Sequence, residues 1–314
     1  MNLKKSIAAL LVAVVAASSF GNIYADDVKK PATHEVKTGV KTEDRPAYLQ
    51  SISVTIHAGG SQGSGVIKTR GETNYVWTAA HVISSLRSTR SVIDGGATKT
   101  VVEFKDARVV TELIEEGRSV GRLEMDAEVL RYSDADTGED LALLRIRKKN
   151  FIRSTVQFYL DESIPPVGTQ LLHVGSLLGQ MGSNSLTSGI VSQHGRVLSG
   201  KVYDQSTCAA FPGSSGGGVY LEKDGRYIGM IVRGAGETFN LMVPIRRTRE
   251  WARSAKIEFA LDDRIPVPSE SDLRKIPVET NGVNFSADRA SSTPHHNFQF
   301  LINNAQIEAN RQKQ

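Results

Sequence analysis

A single cysteine, Cys208, stands in the 314 residues, so no disulfide can form within the chain and stability must come from a buried core. That thiol, seven residues ahead of Ser215, reads as a small buried hydrophobe rather than a reactive group. Nor is there a strong excess of charge. The formal net charge is +4, and without Lys4 and Lys5 it is +2, because residues 1–25 contain no acid. Such a balance argues against nucleic acid or an anionic membrane as a designed partner. The apolar run at residues 7–17 is about half the roughly 20 residues a membrane-spanning helix needs. Internal repeats are missing, as is any alternation of strand and helix patterns. His57, His173 and His194 have no clustered partners at metal-ligand spacing, so each is read as structural, and neither a metal nor a cofactor is expected.

What is present is a chain 39% hydrophobic and 23% charged, enough for one large all-β domain or two smaller ones. Lys4 and Lys5, the apolar run and Ala25 before Asp26 have the layout of a secretory signal peptide over residues 1–25. Residues 26–45 are charged and aperiodic, a flexible arm. From Tyr48 onward, short β-type runs alternate with Gly, Ser, Asp and Asn turns, which indicates a β-barrel or sandwich. Asp224-Gly225 is a hairpin signal. Pro244 opens a predicted helix over 245–255. The chain from 259 to 314 is expected to be a polar, largely extended tail, with a short helix at 298–310 where Phe298, Leu301, Ile302 and Ala305 recur at helical spacing.

The chemistry centres on Phe211-Pro212-Gly213-Ser214-Ser215-Gly216-Gly217-Gly218, where glycines on both sides of a serine can expose its hydroxyl and aim backbone N–H groups at one point. A serine needs a base, and Trp77-Thr78-Ala79-Ala80-His81 supplies a histidine directly after a β-run. The base needs an orienting acid. Asp140 stands at the mouth of the apolar strand Leu141-Ala142-Leu143-Leu144, whereas the alternatives Asp134 and Asp136 lie in a polar turn.

With Thr78-Ala79-Ala80-His81, Asp140-Leu141-Ala142-Leu143-Leu144 and Gly213-Ser214-Ser215-Gly216-Gly217 in this order, the sequence resembles the chymotrypsin-like serine peptidases, and among them the exported bacterial Deg/HtrA type. Gly63-Ser64-Gly65-Val66, Ser188-Gly189-Ile190-Val191-Ser192 and Asn240-Leu241-Met242-Val243-Pro244-Ile245 match more softly. The resemblance covers about residues 48–255 and implies an all-β fold of two six-stranded antiparallel barrels with a C-terminal helix, the protease domain being residues 46–258. It implies His81, Asp140 and Ser215 as catalytic residues, and the N–H groups of Gly213 and Ser215 as an oxyanion hole. Ala209 and Ala210 would form the floor of the specificity pocket, and Val232, Arg233 and Gly234 its wall, giving a small or medium apolar preference on a polypeptide substrate.

Two departures matter. Ser214 replaces the aspartate that captures a new N-terminus in digestive proteases, and the polar residues after Ala255 are too few for a PDZ domain. The competing reading is an inactive family member that binds peptides or proteins in the same cleft. An α/β-hydrolase would need its histidine after the serine, where only His295-His296 remain.

Overall fold

The computed structural model describes residues 44–234 and 237–279. The signal-peptide and 298–310 helix expectations, and nearly all of the proposed arm, lie outside the described residues. The fold starts with a short helix α1 (Arg45–Ser51), which leads into strands β1 (Ser53–Ala58), β2 (Ser61–Arg70) and β3 (Thr73–Thr78). After α2 (Ala80–Ile83) come β4 (Arg87–Asp94), β5 (Ala97–Phe104), β6 (Ala107–Glu115), β7 (Arg118–Ser133) and β8 (Leu141–Ile146). The first barrel closes in the order β1-β2-β3-β8-β7-β6, and β4 and β5 form a separate two-stranded hairpin. Strands β9 (Gln170–Gly175), β10 (Ser185–Leu198), β11 (Lys201–Ser206), β12 (Gly218–Leu221), β13 (Tyr227–Gly234) and β14 (Asn240–Pro244) follow. They close the second barrel as β10-β11-β14-β13-β12-β9. Helix α3 (Ile245–Ser254) then begins directly behind Pro244, as its preset φ favours. All barrel pairings are antiparallel, so the β-runs read from sequence form two barrels rather than a sandwich.

Strands β3 and β8 are almost wholly buried; β8 is a nearly continuous apolar run, and β3 buries Tyr75, Val76 and Trp77 between the polar Asn74 and Thr78. The barrels meet across a chain of edge-on aromatic rings: Trp77 on Trp251 and on Phe158, Phe158 on Tyr227, and Tyr227 on Tyr220, with centroids 5.0–6.3 Å apart. Phe158 belongs to the connector between barrels, which is anchored by Tyr159 N–H to Tyr227 O and Tyr227 N–H to Gln157 O.

The extended tail expected from residue 259 is not what the chain forms as far as 279. Phe259, Ala260, Leu261 and Leu273 are buried, and the Trp77 indole donates to Ala260 O at 2.9 Å. Arg70 donates to Phe259 O, Asp262 O and Ile265 O, and Tyr132 N–H donates to Val278 O. The stretch read as irregular also contains a helix, α4 (Glu270–Lys275), capped by the Ser269 hydroxyl on Asp272 N–H. The reason is positional: a few apolar side chains in a polar segment suffice once barrel one offers a groove and N–H donors for the segment's own carbonyls.

Candidate active site

His81 lies in α2, just past β3, with its Nδ1 3.0 Å from each Asp140 carboxylate oxygen and its backbone N–H 3.1 Å from Oδ1. The carboxylate can only accept, so Nδ1 carries the proton and Nε2 keeps its lone pair. Asp140 is 1% exposed and has φ of 56°, a left-handed conformation that aspartate tolerates better than most residues. Its approach is pinned by Glu139, whose N–H donates to Ser133 Oγ while Arg247 of α3 grips both its side chain and its carbonyl. Burial by itself would depress the His81 imidazole, but the charge and hydrogen bonds of Asp140 outweigh it and hold the group above its ordinary 6.5, against a smaller downward push from Arg233.

Asp134, the sequence alternative, caps its own turn through Asp136 N–H, Thr137 N–H and the Thr137 hydroxyl. It is therefore engaged locally.

The serine turn is shaped by Pro-Gly geometry. Ser214 N–H donates to Phe211 O at 2.9 Å across Pro212-Gly213, and Gly213 has φ of 97°, the type II arrangement. Leu178 N–H holds the Pro212 carbonyl at 2.7 Å, and Ser64 Oγ holds the Gly213 carbonyl at 2.7 Å. Both carbonyls are thereby turned to protein donors. The N–H groups of Gly213 and Ser215 have no partner among the described residues. Ser64 is the joint between the barrels: its N–H donates to Ser215 O at 2.7 Å, and its hydroxyl accepts from Ser176 N–H at 2.8 Å. Gly216 must lack a side chain, since one would overlap Ser64 O and the Thr78 hydroxyl just ahead of His81. The fold thus brings the Ser215 backbone against β2 and the end of β3, just ahead of the helix that carries His81, while the Ser215 hydroxyl itself makes no hydrogen bond among the described residues.

The expected floor residues adjoin this turn. Ala209 O accepts from the Thr187 hydroxyl, Ala210 and Val232 are buried, and Gly234 pairs with Asn240 across β13 and β14. Arg233 lies with its guanidinium carbon 6.0 Å from the Tyr203 ring, and its Nε is buried without a partner among the described residues. The remaining histidines divide. His173 is fully buried on Gly218 O, with burial driving it down to about 4, and His57 meets Gln180. His194, read as lacking partners, lies 3.1 Å from the Asp204 carboxylate that Arg246 also binds. Burial pushes the Cys208 thiol up to about 11, which fits a small inert hydrophobe. Sequence reading missed the roles of Ser64, Leu178 and Arg247; only Ser64 left a trace, in its flanking glycines.

Two closed antiparallel barrels joined at a serine turn, with a histidine and a buried aspartate from the first barrel beside it, define the class of double-barrel serine peptidases. The family model for the trypsin-like peptidase domain matches residues 63–230, and the chain belongs to that family. Among curated proteins, the serine protease Do-like HtrA of Lactobacillus helveticus is 30% identical over 177 residues, which is 54% of this chain and 35% of that protein. The chain thus spans about a third of the length of that relative. Among solved structures, an HtrA-type protease with a tripeptide is similar at 21% identity and a TM-score of 0.51, covering 71% of this chain and 65% of the other. A serine endoprotease from Yersinia pestis is similar at 18% identity and a TM-score of 0.49, covering 67% and 65%. Among the described residues no helix is long and apolar enough to cross a membrane.

Proposed function

We propose that this chain is an exported serine endopeptidase that hydrolyses peptide bonds through Ser215, His81 and Asp140. The observation that carries the reading is the buried Asp140 carboxylate fixing the His81 tautomer beside a serine turn whose two N–H groups are free. His81 Nε2 takes the proton of the Ser215 hydroxyl as its oxygen attacks the substrate carbonyl, and Asp140 stabilises the imidazolium. The N–H groups of Gly213 and Ser215 receive the oxyanion, which is worth about 3–4 kcal/mol per donor in such sites. The imidazolium then protonates the leaving amine, an acyl-enzyme remains on Ser215, and water activated by His81 releases it. Ala209, Ala210, Val232 and Gly234 form an uncharged subsite for a small or medium apolar side chain on the acyl side of the scissile bond. Export rests on the leader-like residues 1–25.

The test is a fluorophosphonate probe together with cleavage of a peptide library. Ser215 is expected to take the adduct, and Ser215→Ala to lose both labelling and cleavage. A folded protein that takes no adduct would indicate a peptide-binding module instead.

A further inference from the structure

Asn240, the first residue of β14, plays no part in the chemistry above. It is wholly buried, and its register sets it opposite Gly234 of β13 on one side and Ser206 of β11 on the other. Its amide nitrogen donates to Cys208 O at 2.7 Å, which fixes the side chain's orientation, since the flipped amide would set oxygen against oxygen. Its Oδ1 has no partner among the described residues. A polar side chain wholly buried at the start of a strand calls for a physical reason.

Position supplies that reason. Cys208 directly precedes Ala209 and Ala210, and Gly234 ends the stretch that begins at Val232. A side chain on Gly234 would overlap Asn240 Oδ1, so the space a wall residue would project into is already filled by this amide. The Asn240 side chain therefore bridges the floor and wall of the subsite.

We infer that Asn240 sets the depth of this subsite and limits the substrate side chain on the acyl side of the scissile bond to glycine, alanine or serine size. The inference rests on the endopeptidase reading and narrows it: a leucine or phenylalanine side chain would have to displace an amide tied to Cys208 O. Such a steric limit acts on kcat/KM, because a side chain that cannot seat leaves its peptide bond out of line with Ser215.

The test uses purified full-length protein, with rates normalised to the sites titrated by fluorophosphonate. Peptides differing only at this position as Ala, Ser, Val, Leu or Phe are the substrates. Wild type is expected to favour Ala and Ser over Leu and Phe by at least about tenfold in kcat/KM. Asn240→Gly is expected to raise the Leu and Phe rates relative to Ala by at least about tenfold, and Asn240→Ala serves if the glycine variant does not fold. Wild-type cleavage after Leu or Phe as fast as after Ala would overturn the inference while leaving the endopeptidase reading intact, as would variants with an unchanged profile. Wild type that takes no probe and cuts no peptide would remove both.

Discussion

His81 is held by Asp140 in the protonation state that a general base needs only while its Nε2 is neutral. Its pKa is raised in the folded protein, so the neutral form is lost as pH falls through a value above 6.5. The acid limb of kcat/KM is accordingly expected above pH 6.5. Arg233→Gln removes a charge that opposes protonation and should shift that limb to still higher pH, which pH–rate profiles on one peptide would reveal. At Gly213, φ of 97° and the nearby Ser176 carbonyl leave no room for a side chain. Gly213→Ala should therefore rotate its N–H away and lower kcat by about 10²–10³, with circular dichroism unchanged. An unaltered kcat would remove Gly213 from the oxyanion hole.

At the scale of elements, the segment 259–279 behaves as part of barrel one. Phe259 packs edge-on against Tyr75 at 5.3 Å and is 1% exposed. Phe259→Ala is expected to cost about 3–5 kcal/mol in urea denaturation, whereas Arg264→Ala, at an 82% exposed side chain, should leave the urea midpoint unchanged. Equal effects at the two positions would mean that the segment does not hold the barrel. Sequence averaging hid this role, because Pro266, Pro268 and the polar residues around them dominate the composition. The β4–β5 pairing was only half legible, for the run at 101–104 shows β-type residues while Arg87, Ser88 and Arg90 on its partner do not.

For the whole molecule, the decisive contact is the one between barrels, and Ser64 makes much of it. Ser64→Ala would leave Ser176 N–H and the Gly213 carbonyl without their partner, at a cost of about 1–3 kcal/mol, and would free the turn that aims the Gly213 N–H. Calorimetry should show a lower Tm, and peptide assays a lower kcat. A Tm change with kcat intact would make Ser64 purely structural.

Sequence alone determined what depends on neighbours in the chain: the hairpin turn at Asp224-Gly225, the Pro-Gly turn before Ser215, and the apolar strand behind Asp140. Each is a local preference of backbone or burial, readable within a few residues. The tertiary structure decided what depends on register between distant strands. Asn240 meets Gly234 and Cys208, Leu178 meets Pro212, and Arg247 meets Glu139, over separations of 6 to 108 residues. No local pattern encodes such a meeting, because closing the two barrels is what sets those backbones side by side.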